Sequence, residues 1–447
     1  MNSLSARVKL SLLIPVGTFM ALAGLIFFAP QTQATNTTYY VNNAAGAGCL
    51  ASNAGTLPSA PLCTIQQAVN KLTGAGDRII IYPGTYAESV QITPAQTSAN
   101  GTAASPIIIE GLSTAPRSSI IIDGSAGTSA IYIDGSSGTN LKTHFIFRHF
   151  SLKTGTQFGI FGGAHASYNG YTARLVIRDI EVHSINFPPT SLACTAFVIT
   201  AGNWEGSAYL GDNRTLIEDI VIDNDLNGGT RGQGCVVVAL GANNVVRNIT
   251  AKDVLAFGRF GTGTTVEFNK ITNMTCQSDE GCVQFYNSGG SIFRYNVLQV
   301  PQMWAPGTRK FLGIRATDAG KPPPSAIIEN NVFDYTGAPD EGEGIRFDSY
   351  TRYASVRNNL FVGFNQANSE GIVSTSCPVN YRIEYNAFYN STAYVGQSCV
   401  TVATSTPGAT NYQTNTIDFN TTTYVPNAGS RLINAGAPDL SIPLGGG

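Results

Sequence analysis

Short apolar segments recur along the chain, each split in two by one polar residue. In order they read LVIRDIEV, TLIEDIVI, NVVRNITA, TVEFNKIT, SIFRYNVL, AIIENNVF, ASVRNNLF and YRIEYNAF. The splitting residues are Asp179, Asp219, Asn248, Asn269, Asn296, Asn331, Asn359 and Asn386. Alternate apolar positions on either side have the two-residue period of a strand. Neighbouring copies stand 21 residues apart at the closest, Asn248 to Asn269, and 40 at the widest, Asp179 to Asp219. That minimum suits a coil of three short strands, with longer loops in the longer copies. A bend between strands accepts left-handed backbone, which Asn and Asp tolerate. Stacked coils would set these eight residues one above another, so a ladder of side-chain hydrogen bonds is expected.

A second segment precedes the first in most copies: FGIFGG, ACTAFVI, GCVVVA, GCVQFY, GIRATD, GIRFDS and GIVSTS. Alternation turns Ile314, Ile345 and Ile372 inward and Arg315, Arg346 and Val373 outward. Aligned on glycine, Arg315 and Arg346 share one strand position a coil apart, and so do Cys194 and Cys235. A single coil cannot bury its apolar face, but stacked coils make a continuous core.

Composition agrees with strands and turns. Charged residues are only 12% and Gly numbers 48 in 447 residues, too few charges for long solvated helices. A net charge of −2 leaves no basic footprint for nucleic acid. Arg7 and Lys9 precede an apolar run from Leu10 to Phe28, and Thr32 and Ala34 form a small-residue cleavage site. Residues 1–34 therefore read as an export signal, with an uncleaved anchor as the competing reading, and the mature protein as secreted or cell-surface. Eight cysteines in an exported chain predict disulfides Cys49–Cys63, Cys194–Cys235, Cys276–Cys282 and Cys377–Cys399. A monomer is expected.

These repeats resemble the right-handed parallel β-helix of the pectin-lyase-like superfamily. The resemblance is more specific near the N-terminus, in TYYVNNAAGAGC and PLCTIQQAVNKLTGAGDRIIIYPGTYAESVQI, and extends to GSRLINAGAPDLS near the other end. It implies an all-β right-handed parallel β-helix of about ten coils over residues 35–447. The N-terminal cap spans about residues 38–110 and the closing segment about 400–447. Residues 64–72 are expected to form a short capping helix, with Ile65, Ala68, Val69 and Leu72 on one face.

The resemblance further implies that sugar chains lie along the outer face of the glycine-bearing strands. Charge clusters there are the candidates for chemistry. Arg315 and Arg346 are the candidate catalytic pair; Asp318, Asp348, Arg352, Tyr286, Tyr350 and Trp304 are candidate substrate contacts. Asp279, Glu280, Glu341 and Glu343 are candidate Ca²⁺ ligands, since that ion takes carboxylate oxygens. In a uronate lyase a cation neutralises the carboxylate and a base removes the neighbouring proton. Arg keeps its proton at any ordinary pH, so an Arg here could instead clamp a carboxylate. The expected function is an extracellular polysaccharide-active protein, a lyase on acidic glycans. The alternatives are a non-catalytic surface or adhesion β-helix, whose outward Arg–Asp pairs merely neutralise one another, and a glycoside hydrolase. His149 sits at a turn and reads as structural.

Overall fold

The computed structural model describes residues 36–135, 140–162, 172–185, 197–201, 213–223, 235–276, 281–286, 289–300, 309–315, 325–336, 342–347, 351, 353–366, 369–374, 380–391, 402–403, 411–416 and 419–428. Its strands pair in parallel, each with the copy one coil earlier and the copy one coil later. One face is a ten-stranded sheet running from Val90–Ile92 to Glu370–Ser374. The other two faces share a sheet that is divided in the first coils, as in Ile107–Gly111 with Ile120–Asp123, continuous in the middle ones and divided again after them. Phe145–Lys153, Val176–Ser184, Leu216–Asp223 and Val245–Lys252 each run through the bend as one strand. Later copies break into two, as in Ser325–Glu329 with Val332–Asp334. This stack is a right-handed parallel β-helix.

The bend is made by one left-handed residue per coil: His149, Asp179, Asp219, Asn248, Phe268, Tyr295, Asn330, Asn358 and Tyr385, with φ between 52° and 61°. Asp179, Asp219 and Asn248 therefore sit one position before the later asparagines. Arg247 pairs with Glu267 and Thr250 with Lys270, which sets Asn248 beside Phe268 and Ile249 beside Asn269. The expected eight-residue ladder is thus six asparagines: Asn269, Asn296, Asn331, Asn359, Asn386 and Asn411. In the coils before them, the same position holds Phe150, Ile180, Ile220 and Ile249, all fully buried. The aligned pattern slipped by one because Asp and Asn suit both positions.

Within the ladder each amide bonds in both directions. Asn331 Nδ2 donates to Asn359 Oδ1 at 2.9 Å, and Asn359 Nδ2 donates to Asn386 Oδ1 at 2.9 Å. The backbone N–H of Asn331 also donates to Asn359 Oδ1, at 3.0 Å, and Asn359 Nδ2 also reaches the Ile328 carbonyl at 2.9 Å. Inside the coil, Phe333, Phe361 and Phe388 stack with ring centroids 5.1 and 4.8 Å apart. Each aromatic ring thus packs on its own counterpart one coil away.

At the bend, His149 Nδ1 lies 2.6 Å from Asp179 Oδ2 and Nε2 lies 2.9 Å from the Ala115 carbonyl. Burial opposes its charged form, but the Asp179 hydrogen bond and the Ala115 carbonyl outweigh it and raise its pKa. With a partner at each nitrogen, the ring bridges Asp179 and the Ala115 carbonyl, in keeping with a structural turn.

The expected short helix spans Ile65–Val69, with Thr64 as N-cap and a reciprocal bond from Gln67. Ile65, Ala68 and Val69 are buried. Disulfides Cys49–Cys63 and Cys276–Cys282 form with Cα atoms 5.0 and 4.8 Å apart. Cys235 is also disulfide-bonded. On the preceding strand it stands opposite Phe197. Cys194, Cys377 and Cys399 lie outside the described residues, as does the export segment. From the closing segment, Phe419 packs on Tyr389, and Tyr424 donates to Asp334 Oδ2 at 2.5 Å. Among the described residues no helix is long and apolar enough to cross a membrane.

Replacing Asn359 by Leu strands the Asn331 donors and the Ile328 carbonyl in a dry stack and leaves Asn386 Oδ1 only the backbone N–H of residue 359. At about 1–3 kcal/mol per buried unpaired group, Asn359→Leu should destabilise by several kcal/mol. Asn365 is exposed in a loop, and Asn365→Leu should change little. Denaturant melts of the two variants check this; equal midpoints would remove the ladder as a source of stability.

Candidate functional site

Outward charge on the divided sheet is organised as one column. Successive neighbours are Glu110, Arg148, Arg178, Glu218, Arg247, Glu267, Arg294, Glu329, Arg357 and Glu384. Arg294 meets Glu267 at 2.8 Å and Arg357 meets Glu329 at 2.5 Å. A self-neutralising ladder therefore exists on the divided sheet, built from Arg and Glu; Asp318 and Asp348 of the Arg–Asp pairs expected on the glycine-bearing strands lie outside the described residues.

The outer face of the ten-stranded sheet is arranged differently. Two outward columns run along it in its last coils. One carries Arg259, Gln284, Gly313, Arg346 and Val373; the other carries Lys310, Glu343 and Glu370. Arg346 faces outward as expected, but its neighbour is Gly313. Arg315 lies two residues further along, beside Tyr286, so the two arginines do not stack. The reason is geometric: a slip of two residues leaves inside and outside unchanged, so alternation cannot detect it. Ile314, Ile345 and Ile372 are buried as expected.

Arg346 Nη1 donates to Glu343 Oε1 at 2.8 Å and to Oε2 at 3.2 Å. Glu343 is only 5% exposed, so this contact is what lets its carboxylate stay inside the face. Glu370 stands beside Glu343 on the next strand. Burial, then the Glu343 charge, pushes its pKa up to about 7, against the opposing pull of Arg346. At neutral pH Glu370 therefore still carries its proton about half the time. Next to Arg346, Gly313 leaves a notch: a Cβ there would meet nothing closer than the Val283 carbonyl at 4.0 Å. On the notch's other side, Gln284 Oε1 is buried without a hydrogen-bond partner. A buried acceptor left open beside a notch suits a hydroxyl donor from a ligand.

Of the residues expected from sequence, the structure brings Glu343 and Arg346 together. Glu343 serves Arg346 here. Tyr286 and Arg315 are placed by backbone as neighbours. Asp279, Glu280, Trp304, Asp318, Glu341, Asp348, Tyr350 and Arg352 lie outside the described residues. Glu370, Lys310 and Gln284 were missed. A signal for Glu370 was present: Glu-Gly-Ile occurs at 343–345 and again at 370–372. Among the described residues no group of three or more His, Cys, Asp or Glu could hold a metal ion.

No family model and no curated protein matches the chain. Among solved structures it is similar to XylC in complex with xylose. That likeness has a TM-score of 0.50 and 9% identity over 86% of this chain and 87% of that one. It also resembles a lacto-N-biosidase from Eubacterium ramulus, with a TM-score of 0.48 and 14% identity over 79% and 67% of the two chains. An alginate lyase from Paenibacillus sp. gives a TM-score of 0.38 and 12% identity over 79% and 97%. At these identities the likeness concerns the fold.

Glu370 yields a test independent of any substrate. Its folded pKa lies above the ordinary carboxylate value, so the folded state holds the proton more tightly than the unfolded chain. The stability this gives is complete below the unfolded pKa and is lost as pH rises through about 7. Glu370→Gln should therefore melt like the wild type near pH 4 and higher than it near pH 8. Melts across that range that run parallel would show that Glu370 titrates normally.

Proposed function

We propose that this protein is an extracellular glycan-active β-helix protein that cleaves a glycosidic bond on the outer face of the ten-stranded sheet. The supporting observation is the Glu343–Glu370 pair on adjacent strands, with Arg346 on Glu343 and the Glu370 pKa pushed up to about 7. Parallel neighbours lie ~4.8 Å apart, close to the ~5–5.5 Å between carboxyls in glycosidases that retain configuration. In this reading Glu370 donates its proton to the leaving glycosidic oxygen. Glu343, oriented by Arg346, attacks the sugar carbon and forms a glycosyl ester. Water then breaks the ester, with the Glu370 carboxylate taking the water's proton, which restores both groups. Gln284 accepts a sugar hydroxyl beside the Gly313 notch.

A second reading is β-elimination on a uronate, the lyase reaction. Lys310 beside Glu343 favours it, because an amine can serve as base while Arg346 holds a carboxylate. The described residues do not fit a Ca²⁺ site, since Glu343 already holds Arg346 and Glu370 keeps its proton near neutrality. No step above is routed through the ion.

The test is a panel of neutral and uronate polysaccharides, with and without Ca²⁺, followed by reducing ends and by absorbance near 235 nm. Hydrolysis raises reducing ends alone; elimination raises both. A Ca²⁺ requirement would bring Asp279, Glu280 and Glu341 into the site. Glu370→Gln should lower turnover at neutral pH by about 10²–10⁴-fold with the fold intact. A panel in which neither signal appears would leave the non-catalytic reading.

A further inference from the structure

The outward column that carries Arg259, Gln284, Gly313 and Arg346 extends back through the earlier coils. It continues as Val238, Thr200, Phe161 and Tyr132. A second outward row runs beside it through Ala256, Cys235, Phe197 and Phe158. In these coils the outer face is apolar and packed. Phe158, Phe161, Phe197, Cys235 and Val238 belong to a cluster separate from the interior core. The Phe161 ring stacks on Tyr132 with centroids 4.9 Å apart and meets Phe158 at 4.7 Å. Phe161, Thr200 and Val238 face out from the sheet, yet each is 0% exposed. Neither solvent nor a ligand reaches the column there. Cys235, in the same packed face, is disulfide-bonded, which braces the packing.

Towards the other end the same column opens. Arg259 and Gln284 are buried, the Arg346 side chain is 27% exposed, and Glu370 and Val373 are half-buried. The face is therefore closed on one side of Gln284 and open on the other. Gln284 lies two strands before Glu343, or ~10 Å along the axis, with the Gly313 notch between them. Its Oε1 is buried without a hydrogen-bond partner, and the residue is only 4% exposed. A buried acceptor left open is costly unless a ligand donates to it. The shape of the face limits which hydroxyl can do so. A glycan running through would have to pass over Val238 and Phe161, where the face is filled. A glycan entering from the open side stops at Gln284. The last sugar of a chain carries a hydroxyl that an interior sugar has given up to its glycosidic link, and that hydroxyl meets the stop.

We propose that the outer face of the ten-stranded sheet takes the end of a glycan chain and not its interior, with Gln284 accepting the terminal hydroxyl. This rests on the cleavage reading above and deepens it: reaction at Glu343 and Glu370 would release one short product from the chain end. A site built to bond a hydroxyl discriminates sharply against a chain that lacks it there, because the acceptor is then left unpaired.

The test takes the polysaccharide that is cleaved in the panel and follows viscosity and product size through early turnover. Chain-end action should release one short product while viscosity falls little. Viscosity that falls ahead of reducing ends, with a ladder of product lengths, would overturn the proposal and leave the cleavage reading standing; no cleavage of any polymer would overturn both. Gln284→Leu removes the acceptor from a buried position, so it should melt at or above the wild-type temperature. Its kcat/KM on the polymer should fall by at least about tenfold, the loss of one hydrogen bond, and an unchanged kcat/KM would overturn the role of Gln284. The closed side is checked without a substrate. Val238→Cys and Val373→Cys are treated with a water-soluble maleimide in the folded state, and Thr200→Cys replaces Val238→Cys if the latter does not fold. The thiol of Val373→Cys should react readily, and that of Val238→Cys or Thr200→Cys only after denaturation. Ready reaction in the closed coils, or protection of all these thiols, would each overturn the proposal.

Discussion

Six side-chain amides stand in a dry stack from Asn269 to Asn411, and each needs a partner in the coil above and the coil below. An amide left unpaired at that depth costs more than a typical surface interaction returns. The stack therefore tolerates one register only. If one coil slipped by a single residue, inward and outward side chains would exchange faces along its strands. The backbone hydrogen bonds of parallel strands do not discriminate in this way, because every residue carries the same donor and acceptor. The ladder and the apolar interior, with Phe333, Phe361 and Phe388 stacked ring on ring, set which residues are neighbours.

Once register is set, residues far apart in sequence become contacts on the outer faces. Glu343 and Glu370 are 27 residues apart and adjacent on the sheet. The same rule gives two different outcomes. On the divided sheet, Arg and Glu alternate from Arg178 to Glu384, and each carboxylate finds a guanidinium. On the ten-stranded sheet, Glu meets Glu. Like charges at strand spacing repel, and the structure answers with Arg346 on one carboxylate and a retained proton on the other. An arrangement that lowers stability at high pH is tolerated there, as is common where side chains perform chemistry.

Much of the fold could be read directly. Two-residue alternation separated inside from outside, and recurring Asn marked the bends. The helix near Ile65 and two disulfides were also visible in the chain. What alternation cannot carry is register. A slip of two keeps every face, so Arg315 was set beside Arg346 when Gly313 holds that place. A slip of one at a bend is masked by Asp and Asn, which suit either the left-handed position or the ladder. The site was legible only in part for the same reason. Arg346 and Glu343 were found as charges in a charge-poor chain, but Glu370 becomes meaningful only when register puts it against Glu343. The Arg–Glu column was written openly in the repeats at Arg178, Glu218, Arg247, Glu267, Arg294, Glu329, Arg357 and Glu384, yet its meaning also needed the register.

A stack with an invariant interior leaves its turns free to vary, and this is where the chain accepts strain. From His149 to Tyr385 the described bends each take a left-handed residue, and Gly or Asn supplies that conformation at little cost. Where Phe268 and Tyr295 occupy that position, they stack with centroids 5.0 Å apart and planes 3° from parallel, and the Arg294 guanidinium lies 5.7 Å from the Tyr295 centroid. Part of the backbone cost is offset by contact between neighbouring coils. Arg174 and Arg214, left-handed at the bend that leads into the divided sheet, carry the same cost and are exposed instead. Because the bend is tied coil to coil by backbone bonds, a strained residue there cannot relax without breaking register. The ladder and core that hold register are thus also what let the turns carry side chains that conformational ease alone would not choose.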